Sequence, residues 1–292
     1  MDRTGLEIFS RLVADPFLSD ERIGREVNLT GKAVRLRRQR MEVDGLLTEY
    51  AVHPRAEILG RHALAWGYAA RDRFELPLSR LKEIEDLVYV RSFRPDFVMA
   101  VRFTRDPDAG DDPRLARLLG RPFEGPLDEG RPEPAIDPDR LSRIDWKVME
   151  AVVRTPRAAL TAQADHAGVS TKTFRKHRAR LEAAHAFESS VILNLEREGG
   201  LPTYGIWLKV DGSFDVASLK LPRLWDPPHW TRTPRGVYLL GSADNYFEAR
   251  EVELRLRSLP GVIQADPLIP AGGYFARERV LAWIRTERAR RF

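Results

Sequence analysis

The chain has 292 residues, 43% of them apolar, which is enough for sizeable cores, and its length suggests two domains or one duplicated domain. No apolar run approaches the roughly 18 residues of a membrane span, and the opening MDRTGLEIF lacks a signal-peptide pattern, so a cytoplasmic protein is expected. The absence of cysteine excludes disulfides, thiolate zinc sites and cysteine nucleophiles, while a net charge of +5 points modestly to a nucleic-acid partner.

Taken in order, residues 6–13 (LEIFSRLV) carry a helical apolar stripe of Leu6, Ile8, Phe9, Leu12 and Val13. Asp15-Pro16 ends that helix, because proline forbids its continuation. A short helix over 20–27 follows, capped by Ser19 or Asp20, and Asn28-Leu29-Thr30 makes a tight turn into a basic helix over 30–44. Residues 45–52 read as a short hairpin or wing. Strands are expected at 64–70, 88–93 and 97–103, with helices at 78–87 and 113–119. Five prolines between 121 and 139 mark a degraded last strand that runs into a linker.

The chain then repeats its plan 140 residues on. Residues 146–153 (WKVMEAVV) echo the first helix, Thr155-Pro156 the turn, 161–167 the short helix, and Gly168-Val169-Ser170 the entry to a second basic helix over 170–184. A second wing is expected at 187–195, then strands at 204–210, near 229–232 and at 236–240. A poor helix at 216–224 is broken by Pro222, a convincing one covers 245–259, and a closing strand covers 262–269. Residues 274–292 predict a last helix with Val280, Leu281 and Ile284 on one side; its arginines would either supplement DNA contacts or, the expectation preferred, stand in water.

The basic helices match without a gap. Lys32 falls on Lys172, Arg35 on Arg175, Arg38 on Arg178, Arg40 on Arg180 and Glu42 on Glu182, while Val34/Phe174 and Met41/Leu181 keep one narrow apolar stripe. Thr30 and Ser170 suit N-caps. A charge run is ordinarily a solvated helix face, but a run written twice argues against compositional drift. Helix, helix, short turn, basic helix is the helix-turn-helix order, whose last helix enters the major groove of DNA. Base-edge contact is expected from Lys32, Arg35, Leu36, Lys172, Arg175 and Lys176. Phosphate-backbone contact is expected from Thr30, Arg37, Arg40, Ser170, His177 and Arg180.

Residues 29–34 (LTGKAV) through Arg40-Met41-Glu42 and Asp44-Gly45-Leu46-Leu47, and again Val169-Ser170 through Arg180-Leu181-Glu182, resemble the helix-turn-helix of Lrp/AsnC transcriptional regulators. The resemblance implies an α+β fold: two winged helix-turn-helix units, each followed by a ferredoxin-like βαββαβ effector domain. Residues 1–54 and 140–196 would be the DNA-binding units, 60–120 and 202–292 the ferredoxin-like domains, and 121–139 the linker. It further implies a sequence-specific regulator that binds double-stranded DNA as a pseudo-dimer within one chain, with room for further homodimer pairing and a small-molecule effector. Departures from the family pattern are Arg38 and Arg178, where an apolar residue normally sits, so that each guanidinium must snorkel to the domain edge or to a phosphate. His177 replaces an arginine, and glycine is missing from 93–97 and from 231–235, where an effector would approach the backbone.

Related proteins of the same plan are sirohaem decarboxylases, which hold the acidic side chains of a tetrapyrrole with histidines and arginines. The fused halves and His53, His62, His166, His177, His185 and His229 keep that alternative open. Against it, 88–96 (VYVRSFRPD) lacks an aromatic-flanked histidine, and basic helices would have no purpose in an enzyme that had abandoned DNA. The expectation is therefore a DNA-binding protein that is not an enzyme, with no cofactor and no metal. No HExxH occurs, the histidines lack ligand spacing, and Thr30-Gly31-Lys32-Ala33 lacks the remainder of a phosphate loop.

Overall fold

The computed structural model describes residues 2–70, 75–94, 96–127, 136–194, 203–215, 219, 224–225, 232–233, 236–243 and 245–292. Helix α1 (Arg3–Ala14) starts on Asp2, whose carboxylate accepts the Gly5 amide, and ends before Pro16. Ser19 caps α2 (Asp20–Glu26) and Thr30 caps α3 (Gly31–Val43). Between them Asn28 takes a left-handed φ of 55°, as the turn requires. A Cβ on Gly24 would stand 2.5 Å from the Leu29 carbonyl, so the turn can close onto α2 only over a glycine.

Strand β1 (Leu47–Pro54) leads into β2 (His62–Ala69), α4 (Leu78–Leu81), β3 (Leu87–Arg94), β4 (Phe97–Thr104), α5 (Pro113–Leu119) and β5 (Arg121–Leu127). The helix expected over 78–87 is one turn only, because Leu87 already belongs to the sheet. Residues 121–127, expected as a degraded last strand running into the linker, form a strand paired with β2.

The second half repeats the order with α6 (Arg143–Arg154), α7 (Leu160–Ala167), α8 (Thr171–Ala183) and β6 (Phe187–Leu193), followed by β7 (Thr203–Val210), β8 (Leu224–Trp225), β9 (Arg232–Thr233), β10 (Gly236–Ser242) and α9 (Tyr246–Arg257). The helix expected at 216–224 lies largely outside the described residues. A single closing strand at 262–269 was expected; instead it divides into β11 (Val262–Pro267) and β12 (Ile269–Phe275), and only α10 (Arg277–Arg291) is helical beyond it.

Among the described residues three antiparallel sheets form, in an α+β arrangement. The two larger ones share one order, β5-β2-β4-β3 and β11-β7-β10-β8, the fourth strand beside the first, then the third and the second. Strand β12 leaves the second sheet and extends the first along β3. Among the described residues, the stretches expected as wings form no hairpins of their own. Instead β1 pairs with β6, with Tyr50 opposite Val191 and Ala51 opposite Ser190. Under the 140-residue offset Tyr50 corresponds to Ser190 and Ala51 to Val191, so exchanging the halves maps this ladder onto itself.

One core runs through both helical units and the inner face of the first sheet. It holds the expected stripe residues Val34, Met41, Phe174 and Leu181, and from α10 the wholly buried Val280, Leu281 and Ile284, each worth roughly 1.5–3 kcal/mol of apolar burial. The α10 arginines expected in water are tied down: Arg285 and Arg288 reach Glu150 on α6 at 2.7 and 2.8 Å, and Arg277 reaches Glu49 at 2.9 Å. No helix among the described residues is long and apolar enough to cross a membrane.

Candidate functional site

Both basic helices begin as their sequences predict, with Thr30 accepting the Ala33 amide at 3.2 Å and Ser170 the Thr173 amide at 3.1 Å. Lys32, Arg35, Leu36, Arg40, Lys172, Arg175, Lys176 and Arg180 are exposed, and Arg37 and His177 half-buried. Much of this charge already has a carboxylate in the same chain. Arg35 lies 3.5 Å from Asp20 and 3.7 Å from Glu21, Arg37 4.0 Å from Asp2, and Arg40 3.7 Å from Asp44. His177 meets Asp145 at 2.7 Å, and Arg180 binds the other oxygen of the same carboxylate. Lys32, Lys172, Arg175 and Lys176 have no ion pair among the described residues.

Arg38 does not snorkel. Its guanidinium is buried and holds Asp20 through two bonds of 3.0 Å while a third nitrogen donates to Glu42 at 2.6 Å. A paired carboxylate takes the place of the domain edge or phosphate that its sequence position called for. Arg178 likewise turns to Glu182 at 2.7 Å, to Gln163 at 3.1 Å and over the ring of Phe17. From the second half Arg157 crosses to Asp20 at 2.6 Å and to the Pro16 carbonyl at 3.0 Å, which locks the two helical units together.

These contacts set two carboxyl groups. Burial pushes Asp20 up, but the hydrogen bond and charge of Arg38, then the charges of Arg157 and Arg35, outweigh it and hold the carboxyl below its usual range. At Asp145 burial is likewise outweighed, by the Ser142 hydroxyl, His177, the Ser142 amide and Arg180. Both therefore add stability that is present above their unfolded value of about 3.9 and lost as pH falls through the lower folded values. Glu49, which burial holds above its usual value despite Arg277, acts in the opposite sense. The expected result is a urea midpoint nearly level from neutrality to about pH 5 and falling steeply below about pH 4, with a shallower fall in D20N and D145N.

A second polar group joins His53, one of the six histidines that kept the tetrapyrrole alternative open, to arginines that sequence reasoning did not single out. His53 on β1 is 3% exposed and stands among the rings of Phe103 at 5.2 Å and of Tyr89 and Phe275, each at 6.1 Å. Its Nε2 is 3.8 Å from Glu188 on β6, and Arg55 is 3.6 Å from the same carboxylate. Arg91 on β3 is buried, lies over the Tyr89 ring and donates to the Ser190 hydroxyl of β6. A Cβ on Gly273 would stand 2.4 Å from the Val90 carbonyl of β3 and 3.0 Å from Ile192 of β6, so β12 packs this closely against both only over a glycine. Two residues beyond Arg91, Phe93 starts an aromatic run: Phe93 to Phe97 at 5.4 Å, then Phe97 to Trp207 of the second sheet at 5.9 Å. The Trp207 indole lies against Gly236 too closely for any side chain there. No group of histidines and acids among the described residues could hold a metal ion. His166 and His185 are exposed, and His62 stands at the exposed start of β2.

No family model and no curated relative matches the chain. Solved structures do. The siroheme decarboxylase NirDL aligns over 99% of both chains at 10% identity and a TM-score of 0.43, and its co-complex with an iron-uroporphyrin III analogue aligns at 11% identity with the same score, over 98% of this chain and 99% of that one. A transcriptional regulator from Neisseria meningitidis in complex with L-Met covers 44% of this chain and 89% of its own at 18% identity and a TM-score of 0.31. AsnC of E. coli covers 44% and 91% at 13% identity and 0.29. The expectation that the chain is not an enzyme is corrected here: among the structures it matches, those of the siroheme decarboxylase cover 98–99% of the chain, at 10–11% identity.

Proposed function

We propose that the chain is an enzyme of the sirohaem-decarboxylase kind, acting on a flat macrocycle that bears carboxylates, and that its scaffold is a tandem duplication. In this reading each half is a winged helix-turn-helix followed by a ferredoxin-like βαββαβ unit. The scaffold reading rests on the strand order common to the two larger sheets, which is that of the split βαβ unit, and on the wing ladder that maps onto itself when the halves are exchanged.

One observation carries the functional reading: His53, Arg55, Arg91 and Tyr89 gather beside the aromatic run Phe93, Phe97 and Trp207, at a junction built by both halves. A macrocycle stacks on rings, and its carboxylates match the fork of a guanidinium. Breaking the bond between a side-chain carbon and its carboxyl group releases carbon dioxide and leaves an electron pair that must take a proton. His53 and Tyr89 are the members of the cluster able to hold one. The objection that basic helices have no purpose in an enzyme also weakens, since Arg38, Arg178 (through Gln163), Arg180 and His177 fasten α3 and α8 to their own units. The test is to titrate the protein with an iron porphyrin bearing acetate and propionate side chains. A shifted Soret band, with loss of carboxyl groups from the extracted macrocycle by mass spectrometry, is expected. An unchanged band with folded protein would sink the reading.

A second reading, duplex DNA binding by a regulator, is favoured by one feature: Lys172, Arg175 and Lys176 stand exposed on α8 with no acidic partner among the described residues. If they bind phosphate, each substitution by glutamine lowers the dependence of log K on log salt by about one.

A further inference from the structure

The two ring nitrogens of His53 have different neighbours. Nδ1 lies 3.0 Å from the Pro54 carbonyl, which can only accept, so that nitrogen carries a hydrogen. Nε2 lies 3.8 Å from the Glu188 carboxylate, within reach of its charge but too far for a hydrogen bond between the two. A neutral ring would turn a lone pair toward that carboxylate, whereas an imidazolium turns an N–H. The other charges packed around the ring are Arg55 and Glu57 just beyond β1, Arg91 over Tyr89 on β3, and Arg277 over Phe275 where β12 ends, while β4 adds the ring of Phe103. Arg277 is taken up by Glu49 at 2.9 Å, and Arg55 is shared between Glu57 at 3.8 Å and Glu188 at 3.6 Å, which leaves part of the Glu188 charge for the ring. The wing ladder sets this pair, with His53 of the first half directly opposite Glu188 of the second. Under the 140-residue offset the mirrored residues are Leu193 and Thr48, which carry no charge, so the arrangement occurs once in the chain.

We propose that His53, kept as an imidazolium by Glu188, is the proton donor of the decarboxylation, and that Glu188 is its positioning residue. This rests on the reading of the junction as a site for a carboxylate-bearing macrocycle. The bond between the side-chain carbon and its carboxylate breaks and carbon dioxide leaves. The electron pair left on that carbon takes the Nε2 proton, because the Nδ1 proton is held by Pro54. His53 is then neutral with its Nδ1 hydrogen in place, and a proton from water, arriving past the half-buried Glu188, restores the imidazolium. Tyr89 is the poorer donor at neutral pH, since a phenol is a weaker acid than an imidazolium by roughly 3–4 units.

Nitrogen NMR of the full chain labelled in its histidines tests the charge, with H53Q identifying the signal. His53 is expected to be an imidazolium at about pH 7 and to keep its proton to higher pH than the exposed His166 and His185. E188Q should weaken proton binding at His53 by at least about 10-fold, the usual effect of removing an opposite charge at this range, and E188D should restore most of it. The second arm uses an iron porphyrin bearing acetate and propionate side chains as the probe. E188Q should bind it with an unchanged Soret shift but turn it over more slowly, with the alkaline limb of its pH–rate profile moved to lower pH. H53Q should bind it without loss of carboxyl groups. A neutral His53 at about pH 7 in wild type, equal proton affinity in wild type and E188Q, or a pH–rate profile that E188Q leaves in place would each overturn the proposal. Porphyrin decarboxylated by wild type while His53 is neutral sinks the donor assignment alone, whereas no Soret shift with wild type sinks it together with the macrocycle reading.

Discussion

Replacing Asp20 with alanine is expected to cost about 3–5 kcal/mol of folding stability, the usual penalty for stranding buried charge. Asp20 is 7% exposed and is held by two guanidiniums with little access to water, Arg38 and Arg157. Without it Arg38 keeps only Glu42, and Arg157 keeps backbone carbonyls of the first unit. The loss therefore falls on two joints: the seat of α3 on α2, and the link between the halves. Asp145 gives the contrast. It is fully buried, yet its partner Arg180 is half exposed and can turn to water, so D145A should cost less, about 1–3 kcal/mol. Urea unfolding of D20A, D145A and the pair D20A with R38M measures this. In the double variant the guanidinium that loses its partner is gone as well, and the penalty should shrink. If D20A and D145A cost the same, or the double variant costs the sum of its parts, the buried-charge account is wrong.

What the sequence made legible follows from the reach of its signals. Helix periodicity, Pro16 and Pro156, and the N-caps Thr30 and Ser170 act within a few residues, and the helical units appear where those signals put them. Strand pairing between distant segments carries no such local mark. Nothing in 45–52 or 187–195 announces that two wings pair with each other, and nothing in 262–269 says that the chain turns at Leu268 to join another sheet. The arginines misled for a physical reason. Charge is visible in a sequence, but its neutralisation by Asp20 or Asp145, the latter 32 residues before His177, depends on the fold. One warning was present: Arg38 at an apolar position demands a partner, and the acids of the preceding helix, Asp20, Glu21 and Glu26, were there to be tested. His53 and Arg91 carried no spacing signal, because β1, β3 and β6 come together only through the wing ladder.

If the His53–Arg91 junction takes a carboxylate-bearing macrocycle, R91M should weaken its binding by about 10- to 100-fold, the loss of one charge-assisted hydrogen bond of roughly 1.5–3 kcal/mol. Methionine fills much of the same space beside Tyr89 and removes a buried charge, so the fold should survive. R91K separates charge from shape. It keeps the cation but not the planar fork that lies over Tyr89 and reaches Ser190, and it should recover only part of the affinity. W207A should weaken binding by a different route, because it takes away the ring that the second sheet contributes to the aromatic run. Soret titrations at two salt concentrations distinguish the two losses: the Arg91 share should shrink as salt screens the charge, and the Trp207 share should not. Equal affinity of wild type and R91M, with both proteins folded, would place the macrocycle somewhere other than this junction.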